Sequence, residues 1–145
     1  DAARTFAVGQ ISSEAERLIE VTKQSFFEGL KFARPGERLG SVQAAIQEYV
    51  EKNGFGIVRN YCGHGIGKRM HEDPEIPNYG KAGHGIRLQK GMTIAVEPMV
   101  TYGGYQTTSL SDGWTVVTLD GSPAAHYENT ILITDSDPQL LTNFD

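Results

Sequence analysis

Four ionisable residues lie in unusual sequence surroundings: Asp1, His64, Glu97 and Glu128. Three glycines surround His64 in the segment CGHGIG, so the backbone can turn tightly and another group can approach the imidazole ring. Glu97 ends an apolar run of residues, and Glu128 leads into another. A carboxylate among core strands costs free energy unless it is paired or binds a cation. These four residues are therefore candidates for a cation site.

The chemistry of this set is that of a hydrolytic metal centre. Three carboxylates and one imidazole form a hard, oxygen-rich ligand set that suits Mn²⁺, Fe²⁺, Co²⁺ or Zn²⁺ and differs from the thiolates of a structural zinc site. Carboxylates around one point repel each other unless cations neutralise them, which favours two metal ions. The spacing alone fits no compact metal signature. His64 as a structural hydrogen-bonding residue, and Glu97 as the partner of an arginine or a backbone amide, therefore remain alternatives.

Two helices are predicted ahead of most of these residues. Ser13 and Glu16 have the spacing of a capping box. Apolar residues at helical intervals then predict a helix of about five turns that ends before Pro35. A second helix is predicted from about Ser41, with its stop at Asn53-Gly54.

The remainder of the chain has the pattern of short strands and turns. Residues 60–91 are rich in Gly, His and Pro and are predicted to form one long structured loop, a feature that is usually functional. Strands are predicted at the opening residues 1–9 and at 56–59, 92–97, 114–119 and 126–134. The order predicts an α+β fold: one domain over residues 1–145, with an antiparallel or mixed sheet and two helices on one face.

The composition excludes several classes of protein. A net charge of -5 argues against a nucleic-acid-binding face or a polybasic membrane patch. No apolar run approaches the roughly 20 residues that span a bilayer, and no signal segment opens the chain. Cys62 is the only cysteine, so no internal disulfide can form. We therefore expect a cytoplasmic protein without nucleic-acid or membrane partners.

Five motifs resemble those of the type I methionine aminopeptidases, and they follow one another in order over nearly the whole chain. They are residues 62–67 (CGHGIG), 70–74 (MHEDP), 91–99 (GMTIAVEPM), 112–115 (DGWT) and 127–130 (YENT). Asn129 departs from the usual Tyr-Glu-His-Thr of that family, and Met70 stands where an aromatic residue is common. Together the motifs are far more specific than the glycine loop alone.

The resemblance implies the "pita-bread" fold, in which two similar halves surround a dinuclear metal site with five ligands. Matched residue by residue, four ligands are Asp1, His64, Glu97 and Glu128, with Asp1 and Glu128 bridging the two metals. The fifth, an aspartate, would lie upstream. The chain also opens as if inside a strand. We therefore expect the C-terminal half of the catalytic domain, with the N-terminal half absent.

The resemblance also implies roles in catalysis and substrate binding. Glu97 would relay a proton from the attacking water, and His71 would contact the substrate and the tetrahedral intermediate. An aromatic and sulfur-lined pocket would suit a methionine thioether. Its residues would be Trp114, Met70, Tyr61 and Cys62. From sequence alone, His71 as a surface histidine and Trp114 as a core residue remain the simpler alternatives.

The implied function is removal of the initiator methionine from nascent proteins, with two divalent cations (Co, Mn, Fe or Zn) as cofactors. Prolidase and aminopeptidase P are related alternatives, and a non-catalytic binding module is an alternative of another class. A truncated, catalytically impaired fragment is a further alternative. Half of such a sheet would expose an edge and apolar surface. A homodimer or a complementing N-terminal half is therefore an expected partner.

Overall fold

The computed structural model describes residues 1–143, and its two helices pack against each other. Helix α1 spans Ser13–Leu30 and helix α2 spans Leu39–Lys52. Core side chains of both helices, among them Phe26 and Val42, are fully buried. Burial of each such side chain contributes about 1.5–3 kcal/mol relative to leaving it exposed. Both predicted helices are confirmed, including the five-turn length of the first.

The helix ends differ in detail from the prediction. The N-cap of α1 is Ser12, whose extended backbone lets its side-chain oxygen accept a hydrogen bond from the Ala15 N–H at 3.2 Å. The capping box predicted at Ser13 was therefore wrong by one residue. Helix α2 begins two residues before the predicted start, and Gly54 follows its end with a φ of +83°, a conformation that glycine adopts without a Cβ clash.

Within residues 1–143 there are eleven short strands in three sheets, and every pairing between them is antiparallel. The strands are β1 (Ala2–Ala3), β2 (Gly56–Ile57), β3 (Gly63–Gly65), β4 (Glu72–Ile76), β5 (Thr93–Val96), β6 (Met99–Thr101), β7 (Thr107–Ser109), β8 (Val116–Thr118), β9 (Ala124–His126), β10 (Glu128–Leu132) and β11 (Gln139–Leu140). The largest sheet has the order β1-β10-β5-β3-β4, with β11 also paired to β10. Strands β2-β6-β9 form a second sheet, and β7-β8 form a hairpin.

The chain passes between the two larger sheets at two neighbouring places. Strand β5 leads through Glu97 and Pro98 into β6, and β9 leads through Tyr127 into β10. Proline has no N–H to offer a strand ladder, and the Pro98 carbonyl accepts a hydrogen bond from the Tyr127 N–H at 3.2 Å. The single strand predicted over 126–134 was wrong, because His126 belongs to β9 in the second sheet whereas Glu128–Leu132 form β10 in the largest sheet.

Other strand predictions were too long, or were missed. Residues 60–91 are not one loop, because they contain β3 and β4. The predicted strand at 56–59 is reduced to Gly56–Ile57, and the opening strand is reduced to Ala2–Ala3. The predicted strand over 114–119 is likewise reduced to β8. The α+β class is nevertheless confirmed, with the helices packed against the β2-β6-β9 sheet.

Helix α1 contacts this second sheet through a cluster of rings. The ring centroid of Phe26 lies 5.3 Å from that of Tyr127, and Tyr127 follows β9 directly. This contact holds the second crossing point between the sheets against the helical layer. Neither described helix has the length and apolar character needed to cross a membrane.

Candidate metal centre

Four neighbouring strands each place one of the candidate ligands. Asp1 precedes β1, Glu128 begins β10, Glu97 follows β5, and His64 lies in the middle of β3. These strands are adjacent in the sheet order β1-β10-β5-β3. Residues that are far apart in the chain are therefore neighbours across the sheet.

The register of the strands decides that their side chains share a face. Ala95 is opposite both His64 of β3 and Thr130 of β10. Side chains alternate along a strand, and directly paired residues point to the same side. Glu97 lies two residues after Ala95, and Glu128 lies two residues before Thr130, so both follow His64 to one face. Asp1 reaches this face from the end of β1, where its backbone nitrogen donates to the Thr130 hydroxyl at 2.9 Å.

The distances between these side chains are short. The His64 Nε2 atom lies 3.6 Å from an Asp1 carboxylate oxygen and 3.6 Å from a Glu97 oxygen. One ligating atom from each of His64, Glu97 and Glu128 falls within 4.8 Å of the others. The same holds for Asp1, His64 and His71. Atoms that bind the same cation, each at about 2.0–2.3 Å from it, are separated from one another by distances similar to these.

The imidazole of His64 is oriented by the backbone. Its Nδ1 atom lies 2.9 Å from the carbonyl oxygen of Gly65. A carbonyl only accepts, so Nδ1 carries a proton, and in the neutral ring the Nε2 lone pair faces Asp1 and Glu97. Ligating histidines in metal sites are oriented in this way by a hydrogen bond from the other ring nitrogen. His64 is only 7% exposed.

Glu128 is a buried carboxylate with an unsatisfied oxygen. Burial raises the pKa of Glu128, and repulsion from the Glu97 carboxylate raises it further. The residue is 4% exposed, and its Oε1 atom has no hydrogen-bond partner among the described residues. A divalent cation at this point would satisfy that oxygen and offset the repulsion. The donor set therefore fits a cation of the kind predicted from the sequence.

Two glycines allow β3 to approach its neighbours closely. A Cβ atom on Gly63 would collide with the carbonyl oxygen of Ala95, and one on Gly65 would collide with that of Asp73. The absence of side chains at both positions lets β3 lie between β4 and β5. His64 is thereby held beside the end of β5, where Glu97 begins the crossing to the second sheet.

His71 lies on the open side of the centre. Its ring centroid is 4.2 Å from that of His64, and the residue is exposed. His64, His71 and Cys62 share a cleft of about 340 Å³ with Arg69 and three acidic residues, Glu72, Asp73 and Glu75. His71 is thus placed where a molecule entering from solvent would meet it.

The four predicted pocket residues are not gathered around one cavity. Cys62 lies in the cleft with His71, and burial raises the pKa of its thiol. Tyr61 lines another cavity of about 690 Å³ that includes Met99 and His126. Met70 is 60% exposed and Trp114 is 88% exposed, and neither lines a cavity described in residues 1–143. The alternative of Trp114 as a core residue was wrong.

His126 was not predicted from the sequence to belong to the site. Its Nε2 atom lies 3.3 Å from a Glu97 oxygen, the one that does not face His64. A signal was present in the spacing, because residues 126 and 128 in an extended chain point to the same side. Tyr127, between them, points away and packs against Phe26.

Asn129, which departs from the motif of the resembling family, has a structural role here. Its side-chain oxygen accepts hydrogen bonds from Arg4 at 2.8 Å and from the Thr142 hydroxyl at 3.1 Å. Arg4 also donates to the carbonyl oxygen of Glu128, and its guanidinium lies 4.2 Å from the centre of the Tyr127 ring. The buried Asn129 therefore ties the opening segment to β10, beside the cation site.

Comparison with known proteins agrees with this geometry. The model of metallopeptidase family M24 matches residues 1–135, a range that includes every candidate ligand. The chain belongs to metallopeptidase family M24. Members of a metallopeptidase family use bound metal, which fits the cluster of His64, Glu97 and Glu128. The family resemblance predicted from the motifs is confirmed.

Individual members of the family are similar along almost the whole chain. A protein of Clostridium acetobutylicum named methionine aminopeptidase is 60% identical over 142 residues, which are 98% of this chain and 57% of that protein. Methionine aminopeptidase 1 of Bacillus subtilis is 50% identical, with the same two shares covered. The chain thus spans a little over half the length of the curated relatives it matches.

Solved structures place the fold in the same family. The crystal structure of methionine aminopeptidase from Thermotoga maritima superposes with a TM-score of 0.96 at 48% identity, covering 98% of this chain and 57% of the other. Prolidase from Pyrococcus furiosus superposes with a TM-score of 0.72 at 23% identity and covers 99% of this chain and 37% of the other, a likeness of fold alone. The α+β architecture predicted from the resemblance, that of the pita-bread proteins of this family, is confirmed.

Proposed function

We propose that the protein to which this chain belongs is a methionine aminopeptidase, which removes the initiator methionine from newly made proteins. The observation that carries the proposal is the cluster of ligating atoms from His64, Glu97 and Glu128 within 4.8 Å of one another. It occurs in a chain that is 60% identical to a protein named methionine aminopeptidase. We propose that its substrates are the N-terminal peptides of nascent chains and that it acts in the cytoplasm, without nucleic-acid or membrane partners.

We further propose that residues 1–145 form a single domain, the C-terminal portion of a longer catalytic domain. Asp1, His64, Glu97 and Glu128 would hold divalent cations, with Co, Mn, Fe and Zn as the candidates. The complete protein would hold two, with a second aspartate from the upstream portion as a further ligand. Bound cations supply a water of lowered pKa and a polarised scissile carbonyl.

Two residues around the centre, Glu97 and His71, would transfer a proton and stabilise the oxyanion. Glu97 is half-buried and adjacent to the centre, so its carboxylate can accept the proton of the attacking water and return it to the leaving amine. His71 lies beside His64 and faces the cleft, so a neutral imidazole there can donate a hydrogen bond to the developing oxyanion. Such positioned proton transfer accelerates reactions by about 10²–10⁴-fold.

We assign the methionine side chain to contacts with Trp114, Met70, Tyr61 and Cys62. The polarizable sulfur atoms and aromatic rings of this set suit a thioether. Trp114 is 88% exposed and Met70 is 60% exposed, so both side chains remain accessible for contact with another molecule. A closed pocket from these residues would require a further protein surface opposite them, and the upstream portion is the proposed source.

The test uses the whole protein, expressed with its upstream sequence and loaded with Mn²⁺ or Co²⁺. We expect release of methionine from a Met-Ala-Ser peptide, and we expect His64→Ala to lower kcat/KM by more than about 100-fold because it removes a ligand of the metal. His84→Ala is the matched control, since His84 is exposed, its Nδ1 atom lies 3.0 Å from the Ala82 carbonyl oxygen, and it belongs to neither of the described groups of candidate ligands. An unchanged kcat/KM in the His64 variant would refute the assignment.

The same assay separates the rival functions. Cleavage of Ala-Pro or Gly-Pro peptides in preference to Met-Ala-Ser would favour aminopeptidase P or prolidase, whose fold is shared with this chain. Metal binding without cleavage of any of these peptides would favour a non-catalytic binding module. Cleavage by the whole protein but not by residues 1–145 would show that this chain alone is a catalytically impaired fragment.

A further inference from the structure

The Glu97 carboxylate lies between two imidazoles. One of its oxygens is 3.6 Å from His64 Nε2, and the other is 3.3 Å from His126 Nε2. Asn78 holds the backbone of the same residue by donating a hydrogen bond to its carbonyl oxygen at 3.0 Å. The first oxygen faces the other candidate ligands. A hydrogen bond to the second oxygen could therefore orient the Glu97 carboxylate without competing with them.

His126 stands outside the cluster of ligands. The described groups whose ligating atoms fall within 4.8 Å of one another contain Asp1, His64, His71, Glu97 and Glu128, but not His126. Its Nε2 atom is nevertheless buried and, among residues 1–143, has no hydrogen-bond partner. A buried nitrogen at 3.3 Å from a carboxylate oxygen needs only a small rotation of either side chain to become a hydrogen bond.

The position of His126 is determined by the strand that carries it. His126 ends β9 opposite Met99, and the next residue, Tyr127, is anchored against Phe26 of α1. Alternation along the extended chain then turns His126 and Glu128 to the same side. The second crossing between the sheets thus places both the candidate ligand Glu128 and His126, the neighbour of Glu97, on the same side within three residues.

We propose that His126 is a positioning residue, whose Nε2–H donates to Glu97 and holds that carboxylate in the orientation that binds the cation. Carboxylates that ligate metals are commonly held by such outer hydrogen bonds, and loss of the outer partner weakens metal affinity by about 10–100-fold. This role rests on the proposed metal site, and it adds to that site a residue that no ligand motif contains.

The test is calorimetric titration of the whole protein, expressed with its upstream sequence, with Mn²⁺, and absorption spectroscopy with Co²⁺. We expect His126→Leu to weaken Mn²⁺ binding by about 10–100-fold, because it removes the donor. His126→Gln keeps an N–H at the end of the side chain and should restore the affinity to within about threefold of the original. The Co²⁺ bands of His126→Gln should match those of the unaltered chain, because the ligand set has not changed.

Two controls make the outcome decisive. His84→Leu removes an exposed imidazole of the loop and should leave both measurements unchanged. If His126→Leu does not fold, as judged by circular dichroism, His126→Asn replaces it, since its shorter amide keeps polarity but draws back from Glu97. We expect the same weakening from this variant.

The results also separate this role from the metal site itself. Mn²⁺ affinity that is unchanged in His126→Leu would overturn the role of His126 and leave the metal site standing. Equal losses in the Leu and Gln variants, or altered Co²⁺ bands in His126→Gln, would also overturn it, because His126 would then be a direct ligand. No binding by the unaltered chain would overturn the metal site and, with it, this role.

Discussion

Glu128 and Glu97 illustrate, at the scale of single residues, how a site can oppose the stability of its fold. The register of β5 and β10 brings the two carboxylates beside each other, and Glu128 is 4% exposed. Burial and the neighbouring charge both raise the pKa of Glu128, so the metal-free fold bears the cost of a buried carboxylate whose Oε1 atom has no hydrogen-bond partner among residues 1–143. A cation would turn that cost into binding free energy.

Replacement of Glu128 should therefore have opposite effects on stability and on binding. In the presence of a chelator, Glu128→Gln should raise the free energy of unfolding by about 1–2 kcal/mol, because a neutral amide removes the buried charge and its repulsion. The same variant should lose most of its Mn²⁺ affinity. Thermal denaturation and calorimetric titration measure the two effects. Glu48→Gln, on the exposed side of α2, is the control. A lower melting temperature for the metal-free Glu128 variant would contradict this account.

Strand β3 shows at the scale of elements how packing sets the site. The strand is short and lies between β4 and β5, and its two end residues are glycines. Each is in contact with a neighbouring backbone carbonyl, which leaves no room for a side chain. The third glycine of the motif, Gly67, differs, because a Cβ there would meet only the end of the Glu72 side chain, at 2.7 Å.

The glycines of the motif should therefore not be equivalent. Gly63→Ala should destabilise the fold by about 2–3 kcal/mol and weaken metal binding, because β3 must move away from β5 and take His64 with it. Gly67→Ala should change the stability by less than about 1 kcal/mol, since a flexible side chain can move aside. Denaturant unfolding and Mn²⁺ titration of both variants check this. Equal costs at the two positions would show that the close strand packing is not the cause.

At the scale of the whole chain, the described residues expose apolar side chains, and the proposed ligand set lacks one aspartate. Phe6, Val8 and Trp114 are 78%, 86% and 88% exposed. The chain covers 57% of the length of the Clostridium acetobutylicum relative. We propose that these residues contribute to a surface that binds another protein surface. The upstream portion of the same protein, or a second copy of this chain, is the proposed partner.

The number of cations bound per chain should reflect the missing aspartate of the proposed ligand set. We expect residues 1–145 to bind one divalent cation well and a second much more weakly, because the first position has His64, Glu97 and Glu128 while the second lacks its proposed aspartate. Calorimetric titration with Mn²⁺ or Co²⁺ measures both. Two equally tight sites per chain would contradict the expectation.

The number of chains that associate in solution should depend on the exposed apolar residues. If two copies pair, light scattering coupled to size exclusion should give a mass that rises from about one chain to about two as concentration increases. Addition of the upstream portion as a separate chain should then compete with pairing. A mass of one chain at all concentrations would count against the homodimer.

Much of the site could be read from residue type and order alone. The glycines around His64 and the acids at the ends of apolar runs were sufficient to nominate candidate ligands, because unpaired charge in a core strand needs a reason. The family resemblance was needed to favour a metal site over the structural alternatives. The periodicity of α1 predicted its length, although not whether Ser12 or Ser13 caps it. That choice depends on which residue has extended backbone, and two adjacent serines look alike in sequence.

The tertiary structure decided what local patterns could not. Strand register, which joins residues such as Ala95 and Thr130 across the sheet, determines that Asp1, His64, Glu97 and Glu128 share one face. The break at Tyr127, which divides an apparently continuous strand between two sheets, brings His126 to Glu97. Residue types along the chain specify which side chains can ligate a cation, whereas pairing between distant strands specifies which of them meet. The physical reason is that strand partners are chosen by hydrogen bonding and packing over the whole fold, and neither is encoded within a short segment.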